Sequence, residues 1–288
     1  MQITEMHITP IALGDPPLLN AAGLHAPYCL RTVVEIRTDC GLSGLAEVPG
    51  SVAVDAALAA ARAAVIGSDP LNWHALRARL ASTGAPETSG SRGDKPWDGR
   101  TRVQVYSALD VACLDLQGKA YGVPVAQLLG GIVRERVPYS AYLFYKYEGA
   151  GGALGFGQEP AAVGWAAARQ RAALDPDGIV AQAEAMVAAF GFESIKLKGG
   201  CFEPAQEVAA IQALHRRFGR GVPLRLDPNA LWTVETSVRW GRELEGVLEY
   251  LEDPCRTQEG MAAVRRALKT PLATNMCTTS FEDLPGFV

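Results

Sequence analysis

The chain has 288 residues, 48% of them hydrophobic and 20% charged, with a formal net charge of −4. That balance suits one large or two modest globular domains; it offers no basic stripe for nucleic acid, no apolar run long enough to span a bilayer and no signal-peptide pattern at its start. Six cysteines (Cys29, Cys40, Cys113, Cys201, Cys255 and Cys277) are scattered without a Cys-X-X-Cys pair, as expected of a reduced, cytoplasmic protein rather than a disulfide or zinc framework.

In chain order, residues 1–10 predict a strand, and the alternating β-branched run Thr32–Thr38 predicts a second over Arg31–Thr38. Asp39-Cys-Gly41 makes a turn, and Leu42–Val48 returns as the third strand of a meander. Between the first two, Gly14–Pro27 is rich in Gly and Pro and predicts a loop carrying Asn20 and His25; a loop histidine is ordinarily just solvated. Pro49-Gly50 ends the third strand, and Ala53–Ile66 follows as an alanine-rich helix. Ser82–Gly99 reads as a mobile loop. In Val103–Gly118, Val105, Leu109, Cys113 and Leu116 recur at helical spacing, and Pro124–Leu129 is a short helix stopped by Gly130-Gly131. Residues 1–130 are therefore expected to form a small α+β domain.

In residues 131–288 strand and helix alternate. Strands are predicted over Val137–Tyr145, within Glu193–Gly200 (a short strand followed by a glycine turn), Pro223–Leu226, Val247–Leu251 and Pro271–Thr274, with helices over Asp177–Phe190, Pro204–Phe218, Val234–Leu244 and Glu259–Leu268. Tyr147–Asp177 is a long Gly/Ala-rich insertion, and a loop of that length usually covers a binding site. Repeated βα units imply an α/β class with a parallel sheet, either doubly wound or a (β/α)8 barrel. No glycine-rich dinucleotide fingerprint follows a strand, which favours the barrel.

Four consecutive strands end in a polar residue after an apolar run: Lys198, Asp227, Glu252 and Asn275. One such residue is ordinarily a cap or turn former, and Lys196-Leu-Lys198 alone would pass for two solvated lysines on an edge strand. Four in succession, one βα unit apart, are harder to explain that way, because the C-terminal strand ends of a barrel converge on one mouth. Asp227, Glu252 and Asn275 would offer hard oxygen ligands suited to Mg2+. Lys196 and Lys198, two apart on a strand, face the same side. Mutual repulsion in a partly dry site is expected to lower a lysine pKa, as a base requires.

These residues carry a resemblance. The segments Asn20–Pro27, Val33–Thr38 with Glu47–Gly50, Ala108–Asp115, Tyr142–Phe144, Lys196–Gly200, Asp227–Asn229, Glu252–Cys255 and Ala273–Met276 are similar to those of the enolase superfamily, the mandelate racemase and muconate lactonizing enzyme relatives, and within it the glucarate dehydratases. The resemblance implies an α+β capping domain over a modified (β/α)8 barrel, a small acid-sugar substrate and a homo-oligomer. It places Asn20 and His25 on a loop that closes over substrate, and Tyr142, Phe144 and Asn229 in the substrate pocket. It gives Mg2+ to Asp227, Glu252 and Asn275, with Gln258 or Glu259 as the second ligand if the family's glutamate lies in the following loop. Lys198 would remove a proton alpha to a carboxylate and Lys196 would stabilise the resulting charge. Water would then leave from the neighbouring carbon to give a keto-deoxy acid, the reaction of a carbon–oxygen lyase.

The sequence ends at Val288, after the fifth predicted barrel strand. The resemblance implies further strands carrying a His–Asp dyad, and His7, His25, His74 and His215 are not placed to replace it. The expectation is thus a chain truncated at its C-terminus. Two other readings stay open: a different hydroxy-acid dehydratase or epimerase of the superfamily, and an inactive fragment.

Overall fold

A computed structural model describes residues 1–24, 28–82, 101–149, 162–278 and 281–287. His25, the Ser82–Gly99 loop beyond its first residue, and residues 150–161 of the Gly/Ala-rich insertion lie outside the described residues. The chain forms two compact units: Met1–Leu13 with Cys29–Arg136, and Gly14–Tyr28 with Val137–Val288.

The elements up to residue 130 are β1 (Ile3–Gly14), β2 (Leu19–Asn20), β3 (Gly23–Leu24), β4 (Tyr28–Thr38), β5 (Ser43–Pro49), α1 (Val52–Val65), α2 (Trp73–Ala81), α3 (Thr101–Tyr121) and α4 (Val125–Leu128). Strands β1, β4 and β5 form one sheet in that order, with β4 and β5 antiparallel. Period-two alternation buries Val34 and Ile36 of β4 and Gly44, Ala46 and Val48 of β5. Against this face lies the stripe of α3, Val105, Ala108, Leu109, Ala112, Cys113 and Leu116. Its two alanines permit a close approach: a Cβ on Gly44 would stand 2.1 Å from Ala112 O. Asp115, off the stripe, accepts from Leu45 N–H at 2.9 Å. Helix α2 is an element the sequence did not announce; only Leu76 and Leu80 of its nine residues are buried, too few for a periodic signal.

The second unit continues with β6 (Ser140–Phe144), α5 (Gly164–Gln170), α6 (Pro176–Phe190), β7 (Ser194–Lys198), α7 (Pro204–Phe218), β8 (Leu224–Asp227), α8 (Val234–Glu243), β9 (Leu248–Glu252), α9 (Gln258–Ala267), β10 (Leu272–Ala273) and a 3-10 turn at Phe281–Phe287. The insertion expected over Tyr147–Asp177 is not all loop, since α5 forms within it. Strands β6 to β10 make one sheet in sequential order, and every pair is parallel. Each strand is added on the same side of the last, without the reversal that defines a doubly wound sheet. Right-handed crossovers then keep the helices on one face, the arrangement from which a barrel is built.

Register fixes what each face carries. Leu143, Leu197, Leu226 and Leu251 are successive partners across β6–β9, all fully buried in one core with Ile211, Leu214 and Val264 of the helices. One residue further along, on the opposite face, Phe144, Lys198 and Asp227 are partners.

Candidate active site

The apolar side of β7 is spent on the core, through Ile195 and Leu197, so its lysines are turned to the other face. Lys198 is 5% exposed and its Nζ donates to Asp227 Oδ2 at 2.6 Å. Lys196 Nζ donates to Glu252 Oε2 at 2.5 Å and lies 3.2 Å from the same Asp227 oxygen. Asn275 Nδ2 donates to Glu252 Oε1 at 3.1 Å. The strand-end residues picked out from the sequence are thus joined in one chain, Lys198–Asp227–Lys196–Glu252–Asn275.

The turns after β8 and β9 hold this chain in place. Asn229 donates its main-chain N–H to Asp227 Oδ1 at 3.0 Å and its side-chain amide to Gly199 O at 3.3 Å, tying the ends of β7 and β8 together. Ala230 N–H donates to Asp253 O at 2.6 Å, which links β8 to β9. Among the described residues, the non-glycine residues with positive φ are Asn229, Ala230, Asp253 and Thr257. A β-carbon in that region costs roughly 1–2 kcal/mol, and here all four follow β8 or β9, as expected where a functional site constrains the backbone.

Asp253, not among the candidate residues read from the sequence, lies with Asp227 and Glu252 in a buried cluster whose carboxylate oxygens are within 4.8 Å of one another. Its oxygens accept from Thr274 Oγ1 at 2.5 Å, Asn275 N–H at 3.0 Å and Met276 N–H at 3.3 Å. Asp253 therefore sets where Asn275 stands. No sequence signal separated that task from turn formation.

The rings of Tyr142 and Phe144 of β6 pack at a 50° tilt, 4.7 Å between centroids, and Lys196 Nζ sits 5.2 Å from the Tyr142 centroid. Asn20 lies in the β2–β3 hairpin, where its Oδ1 accepts from Ala22 N–H at 2.8 Å; it is not a link of the lysine–carboxylate chain. Gln258 donates to Asp283 O at 2.9 Å, toward the 3-10 turn, and Glu259 is exposed.

The expected lowering of the lysine pKa is reversed at Lys196. Burial lowers its pKa, but the charge of Asp227 and the hydrogen bond to Glu252 outweigh burial, and the net shift is upward. Two carboxylates beside the ammonium count for more than one neighbouring cation. Burial also raises Glu252, with Asp227 repulsion adding to it against the hydrogen bond from Lys196. A buried pair of carboxylates has oxygen donors of the kind a hard divalent cation takes.

Residues 25–130 match the family "Mandelate racemase / muconate lactonizing enzyme, N-terminal domain" and residues 178–288 match "Enolase C-terminal domain-like". A probable glucarate dehydratase of Streptomyces coelicolor is 44% identical over 99% of this chain and 65% of its own length. An enolase from Thermobispora bispora, crystallised with magnesium and formate, is 50% identical over 99% of this chain and 66% of that one, with a TM-score of 0.85. An enolase from Pseudomonas fluorescens with bound magnesium, potassium and tartrate is 42% identical over 99% of this chain and 65% of that one, again with a TM-score of 0.85. The chain thus spans just under two thirds of the length of these relatives.

Proposed function

The chain belongs to the enolase superfamily, with the N-terminal capping domain and C-terminal barrel domain of that fold, and on that premise we propose that it acts as a Mg2+-dependent dehydratase of glucarate-like acid sugars. The observation that carries this reading is the chain Lys198–Asp227–Lys196–Glu252 at adjacent parallel strand ends. The relative named as a glucarate dehydratase and the neighbour holding tartrate, a hydroxylated diacid, support the substrate class.

The chemical problem is a proton alpha to a carboxylate, whose removal adds a second negative charge to a group already charged. Asp227, Glu252 and Asn275 would hold Mg2+, which when bound supplies positive charge to the substrate carboxylate. The remaining work falls to the lysines. Lys198 Nζ is the base that takes the carbon-bound proton. Lys196 stays protonated, its positive form favoured by the Asp227 and Glu252 carboxylates, and places that charge where negative charge grows on the substrate. The electron pair left on carbon expels the hydroxyl of the neighbouring carbon, which departs as water on gaining a proton. The enol that remains tautomerises to a keto-deoxy diacid. Tyr142 and Phe144 wall the same face, and Asn229 holds the turn beside Asp227.

Incubation with glucarate and Mg2+ in heavy water, followed by proton NMR, tests the assignment. The expected result is exchange of the carbon-bound proton beside a carboxylate together with a keto-deoxy product. Lys198→Met is expected to slow that exchange by about 10²–10⁴-fold, the usual contribution of a positioned general base. Absence of exchange with glucarate, galactarate and talarate alike would sink the proposal.

A further inference from the structure

Lys146 follows β6 and is 2% exposed. Its ammonium donates to Ala168 O and Arg169 O, each at 3.0 Å, and to Arg171 O. Three main-chain carbonyls at the end of α5 thus receive the donors of one lysine, at the negative end of the helix dipole. Burial, followed by repulsion from Arg169, lowers the Lys146 pKa to about 8. A charge is kept in an unfavourable place, and what it gains there is a fixed α5 terminus.

The same residue is a junction of the main chain. Lys146 N–H donates to Ala173 O at 3.1 Å and its carbonyl accepts from Ala173 N–H at 2.9 Å. It bridges Leu18 on its other side, while Leu19 N–H donates to Tyr145 O at 2.7 Å and Tyr147 N–H to Pro17 O at 3.0 Å. Arg169, at the end of α5, closes the triangle: its Nη2 donates to Gly14 O at 2.7 Å and lies 3.6 Å from Asp15 Oδ1. No residue of α5 is fully buried; Trp165 near its start packs edge-on against Phe190 of α6 at 6.2 Å between ring centroids, while the last turn, which carries Arg169, is held by the polar contacts of Lys146.

We propose that Lys146 is a positioning residue for the acid-sugar site: by holding the last turn of α5 it aims Arg169 at Gly14 and Asp15, and thereby fixes the segment carrying Asn20 beside the strand that carries Tyr142 and Phe144. Its consequence for substrate rests on the dehydratase reading; its consequence for the order of the segment does not. An apolar residue of similar length would fill the space yet take the lysine donor from all three carbonyls, leaving Ala168 O with the Arg171 N–H.

Hydrogen–deuterium exchange on the full chain separates these statements. Lys146→Met is expected to speed exchange about tenfold in both residues 164–173 and 14–24, while β7, β8 and β9 stay protected. Arg169→Leu is expected to do so in 14–24 alone, and Lys146→Arg to restore part of the protection. Titration with tartrate is expected to show about tenfold weaker binding for Lys146→Met and Arg169→Leu, or about 1.4 kcal/mol, and turnover of glucarate a raised KM with kcat within about twofold. If Lys146→Met loosens only 164–173, Lys146 is a helix cap and nothing more. Should Lys146→Met fail to fold, unchanged exchange of 14–24 in Arg169→Leu overturns the proposal. Because exchange is read without turnover, a wild-type chain that leaves glucarate, galactarate and talarate all untouched would refute the dehydratase reading and leave this test standing.

Discussion

Asp227 Oδ2 is shared by two ammonium groups, at 2.6 Å from Lys198 and 3.2 Å from Lys196, so the cluster holds its own cations against its own carboxylates. A divalent ion on this cluster would have to compete with them, and the residues it uses can be found by removing them singly. Glu252→Gln is expected to weaken Mg2+ binding at least about tenfold, since loss of an anionic ligand at such a site costs at least that much affinity, whereas Gln258→Ala leaves it unchanged because Gln258 is turned to Asp283 O. Isothermal titration of both variants with Mg2+ checks this, and the reverse pattern would move the second ligand into the loop after Pro254. The strand-end residues were legible because a β-strand has an exact period of two, so a polar residue closing an apolar run has only one face to occupy. Asp253 was not legible. Its hydrogen-bond partners, Thr274 Oγ1, Asn275 N–H and Met276 N–H, come from the end of the next strand, and adjacency in sequence says nothing about them. The upward shift at Lys196 is hidden from the sequence for a related reason: its cationic neighbour is two residues away, while Asp227 and Glu252, which raise its pKa, come from other strands.

At the scale of elements, the joint between β7 and α7 depends on a buried acid outside the lysine–carboxylate chain. Glu207, in the first turn of α7 and fully buried, accepts from Cys201 N–H at 2.8 Å and Phe202 N–H at 3.1 Å. It thereby shapes the glycine turn that follows Lys198. A Cβ on Gly199 would come within 2.6 Å of its Oε2, and one on Gly200, where φ is +73°, within 2.4 Å of Pro228 O; only glycine fits this passage. Burial raises the Glu207 pKa, against the pull of the Phe202, Cys201 and Gly200 main-chain donors. The native state therefore binds this proton more tightly than the unfolded chain does. The contribution is fully present below the ordinary value near 4.5 and is lost as pH rises from there through the raised native pKa. Glu207→Gln, which carries no titrating group, is expected to flatten that part of the stability–pH curve in thermal melts run from pH 4 to 8. Glu207→Ala is expected to lose roughly 1–3 kcal/mol at every pH, because two buried N–H groups lose their acceptor. A pH profile of Glu207→Gln identical to wild type would show that Glu207 does not titrate in this window. Elements were legible from sequence in proportion to the apolar surface they bury. Helix α3, with a long buried stripe, was plain; α5, seven residues long with none fully buried, left no trace in the hydrophobic pattern.

For the whole molecule, the division of labour lies in two cores that share no residue, one built from Ile3 to Leu116 and the other from Ala141 to Leu268. The site draws its geometry from the second. Leu226 lies between Arg225 and Asp227 on β8, and it is the register partner of Leu197 on one side and Leu251 on the other. The row that closes the core under the helices therefore also spaces the strand ends that bear Lys198, Asp227 and Glu252. Leu226→Ala is expected to destabilise this unit by about 2–5 kcal/mol, the range for a buried leucine truncated in a packed core. It should also relax the 2.6 Å contact between Lys198 and Asp227 and weaken Mg2+ binding, although Leu226 itself offers no ligand. Leu109→Ala, an equally buried leucine on α3, is expected to cost a similar amount within the first unit. Exchange of the slowest amides in each unit distinguishes the two variants. Leu226→Ala should speed exchange in β7–β9 and leave the amides of α3 and β5 as they were, while Leu109→Ala should do the opposite. Sequential strand order makes this prediction sharp: each strand end is spaced only by the strands on either side, so a defect in one row reaches the site without passing through the other core. If Leu226→Ala left Mg2+ affinity intact while lowering stability as expected, strand spacing would not set the site, and the polar bonds through Asn229 and Asp253 would be holding it alone.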